Sequence, residues 1–567
     1  MSAAQMAFSK YVFPEFFNEN INKFRGFYKE KIETIDNKNF DFDTYLKKTD
    51  EFYTKIINQT EWKKYDLIGF SLNYSQFLPS LAVAKKIKEV YPNKKIVLGG
   101  SRTVGKIGEN VLKAFSYIDY IVSGDGEEAL FQLSINEDVE KIPNLIYRKD
   151  KEIICNNQIS NLDLNKLPII DFNSFYEQLQ NTSSEIKQHY HVYNRMPIEI
   201  SRGCFWNKCT FCNLNVQYKN YREKTIEKII QELNFLSDTY KILKFQIIGN
   251  TLPLNNYREL LREIIKIDKD FSFIAENRGG RLKKEDYKLL KKAGFTTIQT
   301  GIESFSANYL KKMKKGVKVI DNIASLKFCK ENGIINKYNI IYGYPNEEKI
   351  DFEESKKNIS LIMHYIDPPD LAKLVVGFGS SIFENPSEYN IKNLDYLDSD
   401  KLMFPFDILD KKISFFYSFD KKQDDIDNRW VSLIDFWRDE RIKRAAEEIK
   451  NKNLIDKYIF YFVDGRDILK VYDKRDIKNV KVYMLDNIER RIFLSCIDVI
   501  SYEELEGKFP NLKKEKLENI LTVFEKTGLI FKEKNRFLAL PLSIRDKNNV
   551  IYEENNEENI IYNNFQI

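Results

Sequence analysis

Three cysteines lie close together in the chain and could bind a metal. Cys204, Cys209 and Cys212 have the spacing C-x4-C-x2-C. Thiolates are soft ligands that suit zinc or an iron–sulfur cluster. The other cysteines, at positions 155, 329 and 496, are scattered. Six cysteines in 567 residues are too few for a disulfide framework, so a reducing compartment is expected and only the trio indicates a ligand set.

The spacing is compatible with more than one use of the trio. A structural zinc ion needs four protein ligands, and His189 and His191 lie upstream, so a Cys3His zinc site is one alternative. A [4Fe-4S] cluster held by three cysteines would leave one iron without a protein ligand, where a cosubstrate can bind. An unmetallated trio is the third alternative.

The trio directly follows a predicted strand, the first of a series. From residue 196 onward, short apolar runs alternate with amphipathic helical segments, which predicts parallel β/α repeats that form a partial barrel. In such barrels the chemistry lies at the carboxyl ends of the strands. The strand candidates are 197–200, 245–249, 271–276, 297–302, 337–343 and 371–377.

A similar alternation precedes the barrel and predicts a smaller parallel sheet. Its strand candidates are 66–71, 95–100, 118–122 and 142–147. Glycines follow several of these runs, and the carboxyl edge of an open α/β sheet is where ligands bind. The fold class is therefore α/β. Seven segments are predicted: a helical start (1–60), a Rossmann-like lobe (61–150), a linker (151–195), the partial barrel (196–380), a connecting region (381–483), a winged-helix-like module (484–544) and a flexible tail (545–567).

The winged module is predicted from helices followed by two short strands. Ser501 and Glu504 form a capping-box pattern, and a helix over 513–527 ends at Gly528. That helix interleaves glutamates with its lysines, so it lacks the basic face that DNA binding needs. A wing edge could instead accept an extended peptide as an added strand, and packing alone is the alternative.

Composition and charge exclude several classes of protein. The chain is 43% hydrophobic and 31% charged, which suits packed cores. A net charge of +5 among 89 basic and 84 acidic residues gives no reason to expect nucleic acid. No apolar run approaches about 18 residues, and the first residues lack the basic segment, apolar run and cleavage site of a secretion signal, so none is expected. We therefore expect a cytoplasmic protein without a membrane partner.

The cysteine loop resembles that of the radical S-adenosylmethionine (SAM) superfamily. The cysteines follow the first barrel strand, and an aromatic residue precedes the last of them. The commonest spacing in that superfamily is C-x3-C-x2-C, so this loop is one residue longer. Segments 301–304 and 339–347 resemble SAM-contacting segments of the superfamily.

A narrower resemblance is to radical SAM enzymes that mature ribosomally made peptides. It is carried by segment 298–329, Pro368-Pro369 and segment 383–386. Members of that group have an N-terminal cobalamin-binding-like lobe, and segment 123–128 resembles the final loop of such a lobe. Some methylate unactivated carbon, and a related branch epimerises residues.

The resemblance implies cofactors and the residues that bind them. Cys204, Cys209 and Cys212 would each bind one iron of a [4Fe-4S] cluster, and SAM would chelate the fourth. The cofactors would supply a 5′-deoxyadenosyl radical that takes a hydrogen atom from a substrate carbon. The SAM contacts implied by the resemblance are Phe211, Gly249, Asn250, Glu276, Arg278, Glu303, Ser304 and Gly343. Cobalamin-like contacts are expected at Ser71, Gly99, Gly100, Gly124, Gly126 and Glu127.

Three functions follow from these expectations. The first is C-methylation of a precursor peptide with cobalamin. The second is epimerisation without cobalamin, for which Cys329 is the candidate thiol hydrogen donor. The third is a non-catalytic zinc-stabilised binding protein. The lobe has no histidine for cobalt and few strands, so it could also be an empty scaffold. Expected partners are the precursor peptide, with its leader at the C-terminal module, and an external electron donor of the flavodoxin or ferredoxin type.

Overall fold

The computed structural model describes most of the chain. It covers residues 3–33, 41–73, 75–157, 162–193, 195–253, 255–420, 425–450 and 458–544. The predicted tail at 545–567 lies outside the described residues. Among the helices that are described, none combines the length and the apolar character needed to cross a bilayer.

The described residues that precede the lobe form three helices. These are α1 (Ala3–Val12), α2 (Pro14–Glu33) and α3 (Phe42–Gln59). The Asp41 carboxylate accepts the backbone N–H groups of Asp43 and Thr44 and so caps α3. Met6 and Phe8 of α1 are buried in the core of the following lobe.

The N-terminal lobe is a five-stranded sheet with three parallel strands. Its elements are β1 (Leu67–Ser71), α4 (Phe77–Val90), β2 (Lys95–Gly99), α5 (Gly105–Ala114), β3 (Tyr120–Val122), α6 (Glu127–Ser134), β4 (Leu145–Lys149) and β5 (Glu152–Cys155). The order is β1-β2-β3-β4-β5, and β4 runs antiparallel to both of its neighbours, β3 and β5. The turn after α6 returns the chain to the carboxyl end of β3, where Ser123 N donates to the Asn144 carbonyl (2.9 Å). For this reason β4 does not extend the predicted parallel pattern.

The segment predicted as a linker, 151–195, contains regular structure. Besides β5 it holds α7 (Asn173–Gln180) and α8 (Ser184–Tyr193). Both helices are largely exposed, so they lack the long apolar periodicity by which a helix is recognised in sequence.

The barrel segment carries the parallel β/α repeats that were predicted. Its elements are β6 (Met196–Glu199), β7 (Ser201–Arg202), β8 (Arg222–Glu223), α9 (Ile226–Tyr240), β9 (Lys244–Ile248), α10 (Tyr257–Lys266), β10 (Ser272–Arg278), α11 (Lys284–Lys292), β11 (Phe295–Gly301), α12 (Ala307–Lys312), α13 (Val319–Glu331), β12 (Ile335–Lys337), β13 (Asn339–Tyr342), α14 (Lys349–Ser360) and β14 (Asp370–Lys373). The main sheet has the order β6-β9-β10-β11-β12, and β13 pairs with β14. Across the described residues the strands do not close into a ring.

The two faces of this sheet differ in chemistry. Phe245, Phe273 and Phe295 pack in the core on the helix side. On the opposite, concave face, Glu276, Gln299 and Lys337 lie side by side on β10, β11 and β12 and remain exposed. A polar, open inner face at the carboxyl half of the strands suits ligand binding rather than packing.

The connecting region packs against the lobe. It contains β15 (Val376–Gly377), α15 (Ser381–Glu384), β16 (Leu394–Tyr396), α16 (Asp398–Met403), α17 (Phe406–Leu409), β17 (Phe416–Phe419) and α18 (Asp425–Lys450). Met403, Phe404 and Phe415 are buried in the same core as Phe77 of the lobe. This region therefore fastens the lobe to the rest of the molecule.

The C-terminal part contains two small sheets. Its elements are β18 (Phe460–Asp464), β19 (Leu469–Asp473), β20 (Lys481–Leu485), α19 (Asn487–Ser495), β21 (Ile500–Ser501), α20 (Tyr502–Lys508), α21 (Lys514–Lys526), β22 (Ile530–Glu533), β23 (Arg536–Ala539) and β24 (Leu542–Ser543). The capping box of Ser501 and Glu504 is present, and Gly528 has φ +69°. The sheet of order β20-β19-β18-β24 was not predicted.

Candidate cofactor site

The cysteine loop begins just past β6, at the carboxyl edge of the main sheet. Asn215 holds its first residue from both sides, since Cys204 N donates to Asn215 Oδ1 (2.7 Å) and Asn215 Nδ2 donates to the Cys204 carbonyl (3.0 Å). Cys212 N donates to the Cys209 carbonyl (3.3 Å). All three thiols are free and half-buried. The loop therefore presents three sulfur ligands from one short, fixed segment.

Burial opposes ionisation of two of these thiols, Cys209 and Cys212. Desolvation raises the pKa of Cys209 to about 11, and it raises the pKa of Cys212 as well. The positive charge of Lys315 acts in the opposite direction on both thiols. Thiolates at this site therefore need a positive partner, and a bound metal cluster would be a strong one.

A buried ion pair lies beside the cysteines. Lys315 Nζ is 2.6 Å from Glu303 Oε1. Although burial opposes it, the Glu303 carboxylate keeps the pKa of Lys315 above its usual value. Glu303 has the left-handed φ of +59°, and its Oε2 is buried without a hydrogen-bond partner. A carboxylate oxygen left in this state is available to a polar ligand.

Several predicted SAM contacts gather at the same edge. Glu276 lies on the concave face, and desolvation together with the nearby Glu303 raises its pKa. Gly249, followed by Asn250, comes directly after β9, and a Cβ atom there would lie 2.8 Å from Ser201 Oγ. Gly343 follows β13 with φ +75°.

Other predicted contacts are engaged within the protein. Ser304 is buried, and its hydroxyl accepts the N–H of Ser306 (3.0 Å) at the start of α12. Phe211 packs against an aromatic cluster with Tyr309 and Tyr344. Arg278 lies with its guanidinium carbon 4.2 Å from the ring centre of Trp206.

The donor set fits an iron–sulfur cluster and a polar cosubstrate. Ser201 Oγ and Asn213 Nδ2, like Glu303 Oε2, are buried polar atoms without a partner near the cysteine loop. His189 and His191 are exposed on α8, which precedes β6. Within the described ranges, no three His, Cys, Asp or Glu side chains come together as ligands for a single metal ion. In the part of the chain that is described, neither histidine is brought together with the cysteines as a ligand set.

Cys329, the candidate hydrogen donor, lies elsewhere. It is fully buried on α13 in the core on the helix side, with Asn336 Nδ2 3.2 Å from its sulfur. Desolvation raises the pKa of its thiol to about 12. The structure does not bring it to the concave face with the cysteine trio.

At the lobe edge, the first two loops interlock. Leu72 N donates to the Gly99 carbonyl (2.6 Å), and a Cβ atom on Gly100, which has φ +104°, would lie 2.6 Å from the Leu72 carbonyl. Ser71, the last residue of β1, is exposed. Three of the predicted cobalamin-like contacts, Ser71, Gly99 and Gly100, therefore lie together at this edge.

The third lobe loop, with Gly124, Gly126 and Glu127, docks onto the barrel. A Cβ atom on Gly124 would lie 3.7 Å from the Gln217 carbonyl. Arg202 Nη2 is 2.6 Å from Glu127 Oε1, and Arg202 Nη1 is 2.8 Å from Asp125 Oδ1. This loop therefore joins the lobe to the segment that carries the cysteines.

The partners of Arg202, and the roles of Arg222 and Lys315, could not be predicted from the sequence. Arg202 also pairs with Glu199 (2.7 Å), and Arg222 Nη1 lies 2.7 Å from the other oxygen of Asp125. Lys315 stands in a run of lysines that looks like a solvated surface. No local signal could reveal these residues, because each acts through contacts with distant parts of the chain.

Comparison with known proteins agrees with this geometry. The profile of the radical SAM superfamily matches residues 198–359. An uncharacterized methyltransferase of Pyrococcus horikoshii is 27% identical over 52% of this chain and 63% of its own length. A putative methylthiotransferase of Methanocaldococcus jannaschii is 27% identical over 52% of this chain and 65% of its own length. The chain thus spans less than two thirds of these relatives.

Among solved structures, the radical SAM methyltransferase TsrM of Kitasatospora setae is similar to this chain. The TM-score is 0.49 at 16% identity, over 60% of this chain and 69% of that one.

Proposed function

We propose that this chain, with a radical SAM domain at residues 198–359, is an enzyme that methylates an unactivated carbon of a ribosomally made precursor peptide. One observation carries the radical chemistry: three half-buried thiols stand beside a buried carboxylate oxygen without a partner, at the open edge of a parallel sheet. Relatives named as a methyltransferase and a methylthiotransferase support transfer of a one-carbon unit.

The cofactors of the radical SAM domain are a [4Fe-4S] cluster and SAM. Bound together and reduced, they supply a 5′-deoxyadenosyl radical that takes a hydrogen atom from a carbon. Cys204, Cys209 and Cys212 would hold the cluster. Glu276 and Glu303 would accept hydrogen bonds from the amino and ribose groups of SAM, and Gly343 would let the backbone approach adenine. An external donor of the flavodoxin or ferredoxin type would deliver the electron.

Cobalamin is proposed as the methyl carrier, at the exposed end of the lobe sheet. The exposed Ser71 leaves a polar group at this edge beside Gly99, whereas the missing side chain of Gly100 makes room for the Leu72 backbone. The lobe segment 61–150 contains no histidine, so cobalt would receive no imidazole from it. Gly124, Gly126 and Glu127 would act at the junction with the barrel, since Arg202 holds Glu127.

The peptide leader is proposed to bind at the C-terminal module. The wing is occupied, because Glu533 Oε2 accepts Ile320 N (2.8 Å) and Arg536 pairs with Asp321 (2.7 Å) on α13. The neighbouring sheet, which β24 joins to the module, ends at the edge strand β20, and among the described residues no further strand pairs with it. Val482 and Met484 on this strand are 50% and 64% exposed, which suits an added peptide strand with apolar side chains.

Epimerisation is the less favoured outcome. It requires a hydrogen donor at the substrate, and Cys329 is buried among helix-side residues. The remaining lone cysteines are placed no better, since Cys496 is buried in the terminal module and Cys155 is exposed at the end of β5 in the lobe.

The test uses anaerobically purified full-length protein, reconstituted with iron, sulfide and cobalamin, and a peptide encoded beside its gene. We expect about four irons per chain, reductant-dependent 5′-deoxyadenosine, and a peptide product heavier by one methylene group. The matched control is Cys209→Ser. A mass-neutral product that takes up solvent deuterium would replace methylation by epimerisation. Stoichiometric zinc without SAM cleavage would overturn the proposal.

A further inference from the structure

The cysteine loop accommodates its additional residue in a particular way. Between Cys204 and Cys209 stand Phe205, Trp206, Asn207 and Lys208. Asn207 takes the left-handed φ of +44°, which asparagine tolerates better than most residues. Asn207 thus adopts a conformation that the longer loop requires, and Trp206 just before it contacts a turn of the barrel more than a hundred residues downstream.

Trp206 is held on that turn from three directions. Its indole Nε1 donates to the Lys314 carbonyl (2.9 Å). The ring covers Gly316 so closely that a Cβ atom there would lie 1.9 Å from Cζ2. The Arg278 guanidinium stacks over the ring, with 4.2 Å between its central carbon and the ring centre.

Arg278 is itself fixed to the same turn. Its Nη2 donates to the Lys315 carbonyl. The side chain of Lys315 reaches in the other direction to Glu303. Arg278 thus connects the indole ring with the backbone that carries the buried lysine, and only its Nε is left buried without a partner.

A second attachment lies on the far side of Cys209. Thr210 N donates to the Met313 carbonyl (3.0 Å), and the Thr210 hydroxyl lies 2.8 Å from the hydroxyl of Tyr344. Cys209 therefore lies between two residues, Trp206 and Thr210, that both bind the turn at 313–316.

We propose that Trp206, Arg278 and Gly316 form a clamp that positions Cys209 within the lengthened loop, and that Arg278 is a positioning residue of the cluster rather than a SAM contact. The inference rests on the proposed cluster. Outer-shell contacts of this kind orient a ligand before the metal binds and slow its loss afterward.

The main experiment follows cluster loss to a chelator under anaerobic conditions in reconstituted protein. Trp206→Ala is expected to shorten the cluster lifetime about ten-fold, the order seen when partners of metal ligands are removed. Trp206→Phe keeps the ring stacking but loses the indole hydrogen bond, so its cluster lifetime should lie between those of Trp206→Ala and the wild-type protein. Arg278→Met should also shorten the lifetime and change the electron paramagnetic resonance signal of the reduced cluster, while the SAM Kd of freshly loaded protein stays unchanged.

A pair of glycine variants distinguishes disruption of the clamp from the backbone strain that alanine causes at any positive φ. Gly316→Ala and Gly333→Ala both place alanine at positive φ, +69° and +58°. Only at Gly316 would the new methyl group strike the indole, because the nearest atom at Gly333 is Lys291 Nζ at 3.7 Å. Loss of cluster stability in Gly316→Ala but not in Gly333→Ala is expected.

Alkylation of Cys209 in cluster-free protein gives an independent measurement. Mass spectrometry of the Cys209 peptide should show faster reaction with iodoacetamide in Trp206→Ala than in wild type, with Lys208→Ala as the control beside the ring. Equal alkylation rates, or an Arg278→Met protein that weakens SAM binding and leaves cluster lifetime unchanged, would overturn the clamp. A wild-type protein that holds no iron would refute the proposed function, and the alkylation contrast would still decide the clamp.

Discussion

The lobe and the barrel both end their parallel strands in polar loops, but they use those loops differently. In the barrel, buried polar atoms such as Glu303 Oε2 and Ser201 Oγ have no partner. In the lobe, Asp125 is paired with both Arg202 and Arg222, and the loops after β1 and β2 interlock. Because unpaired buried polar groups are costly, the barrel edge is organised for a ligand, whereas much of the lobe edge is satisfied by the protein itself.

The largest expected effect is at the barrel edge. Cys212→Ser should abolish cluster assembly and with it 5′-deoxyadenosine formation, because a hydroxyl is a poor ligand for iron in such clusters. Iron and sulfide analysis of the reconstituted protein measures this. Cys155→Ser, at an exposed cysteine of the lobe, is the control and should load normally.

The next effect concerns the junction between the two regions. Asp125→Asn should lower the free energy of unfolding by about 3 to 5 kcal/mol, because it leaves Arg222 and part of Arg202 without their buried counter-charge. Urea unfolding measures the change. Glu128→Gln alters an exposed carboxylate three residues further on, in the first turn of α6, and should be nearly neutral. Equal stability of the two variants would show that the junction does not depend on this ion pair.

A smaller effect is expected on the pH dependence of SAM binding at the barrel edge. Desolvation by the surrounding concave face, together with the nearby Glu303, raises the pKa of Glu276, and a cationic ligand favours the ionised carboxylate. Protons therefore compete with SAM, so its affinity should fall as the pH drops through the raised pKa and recover above it. Glu276→Gln should weaken binding about ten-fold, which corresponds to one lost charge-assisted hydrogen bond, and should remove this pH dependence. Calorimetric titration against pH checks both results; an unaltered profile in the variant would exclude Glu276 as the group.

The smallest effect is expected at the lobe edge. Ser71→Ala changes an exposed residue at a strand end, so unfolding should shift by no more than about 0.5 kcal/mol. The variant should retain less cobalamin after reconstitution than the wild-type protein, since Ser71 belongs to the open part of that edge. Wild-type protein that retains no cobalamin would leave the lobe with a purely structural role.

Some elements could be predicted well because their signals are local. The strands around Phe245 and Ile298 and the capping box at Ser501 depend on periodicity and short-range hydrogen bonds. The strands β18, β19 and β20 were missed because they lie within a charged, aromatic region without regular alternation. The reversal of β4 was missed because strand direction depends on where the returning chain meets the sheet.

The sequence by itself determined the cysteine trio, its place after the first barrel strand and the superfamily that this arrangement resembles. These features depend on residue type and spacing, which are local. Only the tertiary structure decided that Lys315 is buried against Glu303, that Trp206 covers Gly316 and that Arg202 joins the lobe to the barrel. The physical reason is that burial and pairing of charges arise from packing between distant segments, and no short stretch of sequence carries that information.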